Sequence, residues 1–180
     1  MTGAKVGALI GLVGGLVFVL VNVFVLPAPW PTVIIAAAVV VALLALRTVL
    51  RTGPVPGEFR PDRRQMQAFW ITVGLEVVAL VGGGFVINSV LNTPAASLPW
   101  ISLVLGVHWL VFKTVFQQDV FLWLGWFTLT LGVIGMVAAL TQIGPPESPI
   151  VVSGLLTGLV MIGTVAVDAR RRRQRSLKLR

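Results

Sequence analysis

The stretch FWITVGLEVVALVGGGF, residues 69–85, holds one charged side chain, Glu76, in an otherwise uncharged and largely apolar run. With its flanks it forms an apolar segment over residues 68–91. A helix that spans a bilayer needs about 20 predominantly apolar residues. A soluble core helix would have polar residues at every third or fourth position, which together form a polar face. This segment has no such face. It therefore predicts a transmembrane helix with a carboxylate inside it.

The same pattern recurs outward along the chain, in which hydrophobic residues make up 57% and charged residues 11% of 180 positions. The mean hydropathy of +0.97 lies above the range of soluble domains. Five further spans are predicted at residues 6–26, 31–50, 98–116, 120–143 and 150–167. We therefore expect an all-α, polytopic membrane helix bundle. Residues 1–169 would form a six-helix transmembrane domain, and residues 170–180 a basic cytoplasmic tail.

The basic residues indicate how these helices are oriented. All fourteen Lys and Arg lie at Lys5, within residues 47–64, at Lys113, or in the stretch from Arg170 to Arg180. The other connecting stretches, PAPWP, NTPAASLP and IGPPESP, contain no Lys or Arg. Because basic loops stay in the cytoplasm, the pattern predicts three hairpins with both chain termini cytoplasmic.

The residue inventory excludes several kinds of chemistry. The chain has no cysteine and one histidine, which excludes thiolate metal sites, thiol catalysis and bis-histidine haem ligation. The segment VGGGF lies inside a predicted span, with no strand before it and no lysine after it, so it is not a phosphate-binding loop. We therefore expect no cofactor and no metal.

The C-terminal tail is strongly basic. Its sequence, RRRRQRSLKLR, begins where the last predicted span leaves the bilayer. Juxtamembrane basic clusters are attracted to anionic lipid by about 1 kcal/mol per charge. The expected headgroup contacts are Arg170, Arg171, Arg172, Arg173 and Arg175. Without interleaved aromatic residues or a folded binding module, the tail does not predict nucleic-acid binding.

Glu76 and His108 are predicted to lie at the same depth in the bilayer. Glu76 lies eight residues beyond Ala68, or about 12 Å into the bilayer at 1.5 Å per residue, and His108 lies eight residues before Phe116 on the next helix. Consecutive helices joined by a short loop are usually neighbours. An ionised carboxylate at this depth costs at least ~2.5 kcal/mol. Pairing with His108, protonation or contact with water would relieve that cost.

Two tryptophans lie near the depth of this predicted pair. Trp109 and Trp126 could line a cavity beside Glu76, or they could pack in the core. The sequence leaves both roles open. The candidate substrate- or proton-binding residues are therefore Glu76, His108, Trp109 and Trp126.

Small residues form stripes at helical spacing, which allow helix backbones to approach closely in lipid. The stripes are Gly3, Gly7, Gly11 and Gly14 in the first helix, Gly125, Thr128, Gly132, Gly135 and Ala139 in the fifth, and Gly154 and Gly158 in the sixth. Packing within the chain is the expected role. Contact with a second copy or with a partner membrane protein through the first helix is the alternative.

The segments FWITVGLEVVAL and GVHWLVFKTVF carry a resemblance to known proteins. Their acidic residue in the third helix (Glu76) and their Gly-x-His-aromatic segment in the fourth (Gly106, His108 and Trp109) resemble a loose family of small six-span bacterial membrane proteins of unassigned function. The three-hairpin plan is also similar to that of the HdeD-like membrane proteins linked to acid stress. The resemblance implies a fold more than an activity. The Ala-, Val-, Gly- and Arg-rich, Lys-poor composition is typical of a high-GC bacterium and favours the plasma membrane.

Three classes of function fit these features. The first is a small proton-linked carrier or channel with a cytoplasm-facing polar site at Glu76 and His108. The second is a non-catalytic scaffold or accessory subunit that packs through glycine faces. The third is an intramembrane enzyme acting on a lipid or isoprenoid, and it has the least support because no nucleophile or metal set accompanies the pair.

The predicted orientation can be tested by labelling, since the native chain lacks cysteine. Single cysteines at Ala28 or Ala95 should react with a membrane-impermeant thiol reagent added to intact cells. Single cysteines at Gln118 or Ser176 should react only after lysis, because positively charged loops stay in the cytoplasm. Labelling of the second pair in intact cells would reverse the orientation.

Overall fold

The computed structural model describes residues 3–52 and 62–178, and these residues form helices joined by short turns, with no strand among them. This part of the chain contains six helices that are long and apolar enough to cross a membrane. The all-α prediction and the predicted number of spans are therefore confirmed.

The helices are defined as follows. Helix α1 covers Gly3–Asn22 and ends in a 3₁₀ turn, Val23–Val25; α2 covers Trp30–Arg51. Helix α3 covers Arg63–Phe85 and continues as a π-helical turn, Val86–Val90. A 3₁₀ turn, Pro94–Ala96, precedes α4 at Ser97–Phe116, and α5 covers Asp119–Thr141. Helix α6 comprises Ser148–Ile150, a π-helical turn at Val151–Leu155, and Leu156–Lys178.

Helix α3 begins before the predicted span because of a local cap. The backbone N–H of Gln65 donates to the Asp62 carboxylate at 2.8 Å, and the backbone N–H of Asp62 donates to the Gln65 side chain at 2.7 Å. Such a reciprocal capping box satisfies backbone donors that the first turn of a helix leaves without partners. The helix therefore starts at Arg63, in the polar stretch ahead of the apolar segment.

The last helix extends beyond its predicted span. It does not end near residue 167 but continues through the basic stretch as far as Lys178. The Arg172 guanidinium donates to the Asp168 carboxylate one turn earlier, at 2.6 Å. Opposite charges at this spacing stabilise a helix, and no Gly or Pro interrupts the stretch. The basic residues from Arg170 to Lys178 thus lie on a continuous helix.

The distribution of side chains is the reverse of that in a soluble domain. The large apolar residues Ile71, Leu75, Val78, Val81 and Phe85 of α3 are all more than 60% exposed, and α3 has no buried residue. The hydroxyl side chains of four residues are fully buried instead: Ser102, Thr128, Ser153 and Thr157. Small and polar residues inside with large apolar residues outside are expected when hydrocarbon is the solvent.

The described residues divide into two compact units. One contains residues 3–52 and 158–178, and the other contains residues 62–157. Helix α6 contributes its first part to the second unit and its remainder to the first.

In the first unit, α1 packs on the later part of α6 through glycine. A Cβ atom built on Gly15 would lie 2.9 Å from the carbonyl oxygen of Gly158, and one on Gly158 would lie 2.7 Å from that of Gly15. A Cβ on Gly11 would lie 2.9 Å from the Val165 side chain. Packing within the chain, the expected role of the stripe, is confirmed at Gly11 and at Gly14, where a Cβ would lie 3.1 Å from the Met161 side chain; Gly15 is a further contact outside the predicted stripe.

In the second unit, α4 and α5 approach just as closely. A Cβ on Gly106 would lie 2.7 Å from the backbone of Leu129, and one on Gly132 would lie 2.8 Å from the backbone of Leu103. The order of these contacts shows that the two helices run antiparallel. Close backbone approach of this kind maximises van der Waals contact in lipid.

Two glycines of the second unit provide a matched test of this packing. Gly106→Ala should lower the free energy of unfolding by about 1–3 kcal/mol, because its methyl group would overlap the backbone of Leu129. Gly74→Ala should raise it by up to about 1 kcal/mol, because a Cβ atom at Gly74 would meet no atom of a neighbouring element within 4 Å and alanine favours the helix. Unfolding by SDS in mixed micelles measures both. Equal effects of the two changes would contradict close packing at Gly106.

Candidate functional site

Helix α3 is fixed against α4 by contacts on either side of Glu76. The indole N–H of Trp100 donates to the carbonyl of Ala79 at 3.0 Å, and the Asn88 amide donates to the Ser97 hydroxyl at 3.1 Å. At the other end of the contact, the rings of Phe69 and Phe112 lie 5.1 Å apart. The contacts run in opposite order along the two helices, so α3 and α4 are antiparallel in register. This register brings Glu76 to the level of His108.

Glu76 and His108 are in direct contact. Nδ1 of His108 lies 2.7 Å from Oε2 of Glu76, and the side chains are 9% and 15% exposed, respectively. The predicted pairing is therefore confirmed. The oxygen does not lie in line with a ring N–H, so the contact is not a hydrogen bond of ordinary geometry. Charge attraction or a small rotation of the imidazole would strengthen it.

Aromatic rings surround the histidine. The Phe112 ring lies 3.8 Å from the imidazole between centroids, and the Trp109 ring lies 5.3 Å away, edge-on. Trp109 in turn stacks on Phe121 at 5.7 Å with nearly parallel planes. Aromatic rings attract a cation that lies over their faces, and the tilted Phe112 ring is close enough to act on a protonated imidazole in this way.

The site also holds unusual polar atoms. Among the described residues, three buried polar side-chain atoms lack a hydrogen-bond partner: Nδ1 of His108, Nε1 of Trp109 and Oγ1 of Thr128. Two of the three belong to adjacent residues at the site. Nearly all buried polar groups in native proteins are satisfied, and exceptions often mark functional positions. One of these atoms belongs to the acid–base pair and a second to its neighbour Trp109.

The four candidate residues do not all meet. Glu76, His108 and Trp109 lie together, with Trp109 5% exposed. Trp126 is 55% exposed on α5 and has no ring contact with this group within the described part of the chain. The structure therefore does not place Trp126 in the core.

Phe112 is the site residue that sequence reasoning missed. It is buried, contacts the imidazole and also contacts Phe69 on α3. The available signal was its spacing, since residues four apart lie on the same face of a helix. Phe112 lies four residues after His108 and so shares its face of α4.

The predicted headgroup residues separate into different environments. Arg172 is paired with Asp168, whereas Arg170 and Arg173 border a cavity in the first unit together with residues of α2. Arg171 and Arg175 are exposed and do not line that cavity.

Within residues 3–52 and 62–178, no group of three or more His, Asp or Glu side chains could hold a metal ion.

These features define the class of the protein. It is a multi-pass helical membrane protein with an acid–base pair enclosed between two apolar helices. Comparison with known proteins finds no matching family model, no similar curated protein and no similar solved structure. The resemblance to small six-span bacterial proteins stays a prediction from the quoted motifs.

A double-mutant cycle should measure the strength of the pair. Glu76→Gln and His108→Gln should each reduce stability in mixed micelles, and the double variant should lose less than the sum. The expected coupling is about 0.5–2 kcal/mol, because contacting polar groups in membrane proteins interact on this scale. Glu76→Gln combined with Trp126→Phe is the control and should be additive. If the stability losses were additive in both cycles, the contact between Glu76 and His108 would contribute nothing to stability.

Proposed function

We propose that this chain is a small bacterial plasma-membrane protein that acts as a proton-linked carrier or channel. Its six helices would be arranged as three hairpins with both termini in the cytoplasm, in accord with the placement of its basic residues. The single observation that carries the proposal is the 2.7 Å contact between His108 and Glu76 within apolar helices.

The chemistry of the pair suits proton transfer. With one proton between them, the two groups have no net charge, whether they form a carboxylic acid and an imidazole or a carboxylate and an imidazolium. Loss of that proton leaves a net negative charge, and gain of a second leaves a net positive charge. Hydrocarbon disfavours both charged states. Each would be stabilised by an accompanying ion, a polar substrate or water, and this links proton movement to movement of another species.

The aromatic residues suggest how access is controlled. In the proposed orientation, Phe69, Phe112 and Phe116 lie between the pair and the cytoplasmic surface, and their rings are in mutual contact. The pair keeps partial exposure at its edge. Rotation of the Phe112 ring away from the imidazole would open the shortest route from the cytoplasm to His108.

The scaffold role is supported by a different observation. Helix α3 has no buried residue, and a Cβ atom built on Gly74, Gly82 or Gly84 would meet nothing within 4 Å outside the helix's own backbone. A partner helix or a second copy could pack on this surface. The first helix gives this role less support, because Gly11 and Gly15 already pack within the chain.

Proton flux in liposomes tests the carrier or channel. Purified protein is reconstituted with pyranine inside, and a potassium gradient with valinomycin imposes the voltage. The wild type should acidify or alkalinise the lumen faster than empty liposomes. Glu76→Gln should reduce that rate to the background while keeping the fold, because glutamine preserves volume but cannot ionise. Trp126→Phe is the matched control and should match the wild type.

Two results would contradict the proposal. One is equal flux for the wild type and Glu76→Gln between pH 5 and pH 9. The other is no flux above the empty-liposome background for any variant, alone or with added candidate substrates. Either result, combined with a co-purifying protein lost on Gly82→Leu, would favour the scaffold.

The Phe112 ring has its own prediction. Phe112→Ala should increase proton flux several-fold, because it removes the ring that lies 3.8 Å from His108 and exposes the imidazole. Phe127→Ala is the control, since Phe127 is 52% exposed on α5. A lower rate for Phe112→Ala with retained helical content would show that the ring does not restrict access.

A further inference from the structure

The first unit contains a cavity between α2 and the last part of α6. Its volume is about 730 Å³, and four arginines line it: Arg47 and Arg51 from α2, and Arg170 and Arg173 from α6. Small-molecule sites typically enclose 300–1,000 Å³. The cavity is therefore large enough for a lipid headgroup.

The four guanidinium groups are available for a ligand. Within the described part of the chain, none of them forms an ion pair with a carboxylate. Arg172, between the two α6 arginines, differs because it pairs with Asp168. Four unpaired cations around one cavity repel one another. An anion placed among them would relieve that repulsion.

The arginines are arranged as two pairs. Arg47 and Arg51 are four residues apart on α2, and Arg170 and Arg173 are three residues apart on α6. Both spacings place the two side chains on one face of a helix. Guanidinium groups bind phosphate oxygens through paired hydrogen bonds. Each pair can thus hold one phosphate, and the cavity can hold two.

The lining of the cavity favours a lipid over a soluble anion. Beside the arginines and the polar residues Thr48 and Gln174, it is lined by four apolar side chains, Val41, Leu44, Ala45 and Ala166. Val41 and Leu44 lie on the α2 turns that precede Arg47, toward the middle of the apolar helix, and both are exposed. Acyl chains can lie against this surface while the phosphates meet the arginines. A soluble phosphate compound has no apolar part that could pack on this surface.

We propose that this cavity binds an anionic phospholipid whose headgroup carries two phosphodiesters, the chemistry of the cardiolipin class. Basic pockets between transmembrane helices at the cytoplasmic side are a known location for such headgroups. The site lies in the first unit and uses neither Glu76 nor His108. It therefore goes beyond the proposed transport function and does not depend on it.

The test compares three anions. The thermal stability of the purified protein in a neutral detergent is titrated with cardiolipin, with phosphatidylglycerol at equal phosphate concentration, and with inorganic pyrophosphate. Cardiolipin should raise Tm at a concentration at least ten-fold lower than phosphatidylglycerol, because one molecule engages both arginine pairs. Pyrophosphate should raise Tm only at a concentration far above that of cardiolipin, because it can relieve the charge repulsion but lacks acyl chains.

Charge-matched variants locate the site. Arg170→Gln with Arg173→Gln, and separately Arg47→Gln with Arg51→Gln, should each weaken the cardiolipin effect at least ten-fold. Arg171→Gln with Arg175→Gln removes the same amount of charge from the same helix but outside the cavity. This control variant should keep the wild-type response of Tm to cardiolipin. All of these side chains are exposed, so the fold should survive, and circular dichroism checks it.

Three outcomes would overturn the proposal. If the control variant weakened the cardiolipin effect on Tm as much as the cavity variants do, the lipid would be attracted diffusely to the basic helix. An equal response to phosphatidylglycerol would remove the two-phosphate recognition. A response to pyrophosphate equal to that to cardiolipin would identify a soluble anion site. Because Glu76→Gln should leave the cardiolipin response unchanged, failure here is distinguishable from failure of the transport proposal.

Discussion

A polar side chain in hydrocarbon must find its partner within the protein, because no water is present to supply one. This constraint accounts for most specific contacts of the second unit. Glu76 meets His108, the Ser102 hydroxyl donates to the carbonyl of Ser153 at 2.6 Å, and the Trp100 indole donates to the carbonyl of Ala79. Each contact joins two helices. The residues that hydrocarbon tolerates least therefore determine which helix faces are in contact.

Such contacts require close helices, and small residues provide the space. The Ser153 hydroxyl donates to the carbonyl of Leu131 on α5 at 3.2 Å, beside Gly135. A side chain at Gly135 would occupy the position of the Ser153 oxygen. The carbonyl of Ser153 that accepts from Ser102 belongs to the π-helical turn of α6, and such turns shift helical hydrogen bonding locally. Glycine packing and polar contacts thus depend on each other.

The sequence predicts the spans well and the site in part. Long apolar segments specify helices, and equal distances from helix ends correctly matched Glu76 with His108. The failures share one cause, which is rotation about the helix axis. Trp126 was placed near the pair by depth, but it is exposed on α5. An apolar helix surrounded by lipid has no polar face to reveal its orientation, so only tertiary contacts fix it.

The arginine cavity could not be predicted for the same reason, because the rotation of α2 and α6 about their axes is not encoded in a simple sequence pattern. The basic tail was identified by charge, but its convergence with Arg47 and Arg51 depends on which faces of α2 and α6 meet. The end of the last span was also uncertain from sequence, because a helix can leave the membrane without a break. The π-helical turns at Val86–Val90 and Val151–Leu155 have no Pro within them and gave no signal.

The position of Trp109 gives the molecule an internal optical probe. Its indole is buried and in edge contact with the imidazole of His108, whereas Trp30, Trp70, Trp123 and Trp126 are each more than half exposed. Quenchers dissolved in lipid reach the exposed indoles far more readily than the buried one. A protonated imidazole quenches a neighbouring indole by accepting an electron from its excited state, whereas a neutral imidazole does so weakly. Apart from the partly buried Trp100, Trp109 is therefore the source of the emission that survives lipid quenching, and its intensity reports the charge on His108 without any label added to the chain.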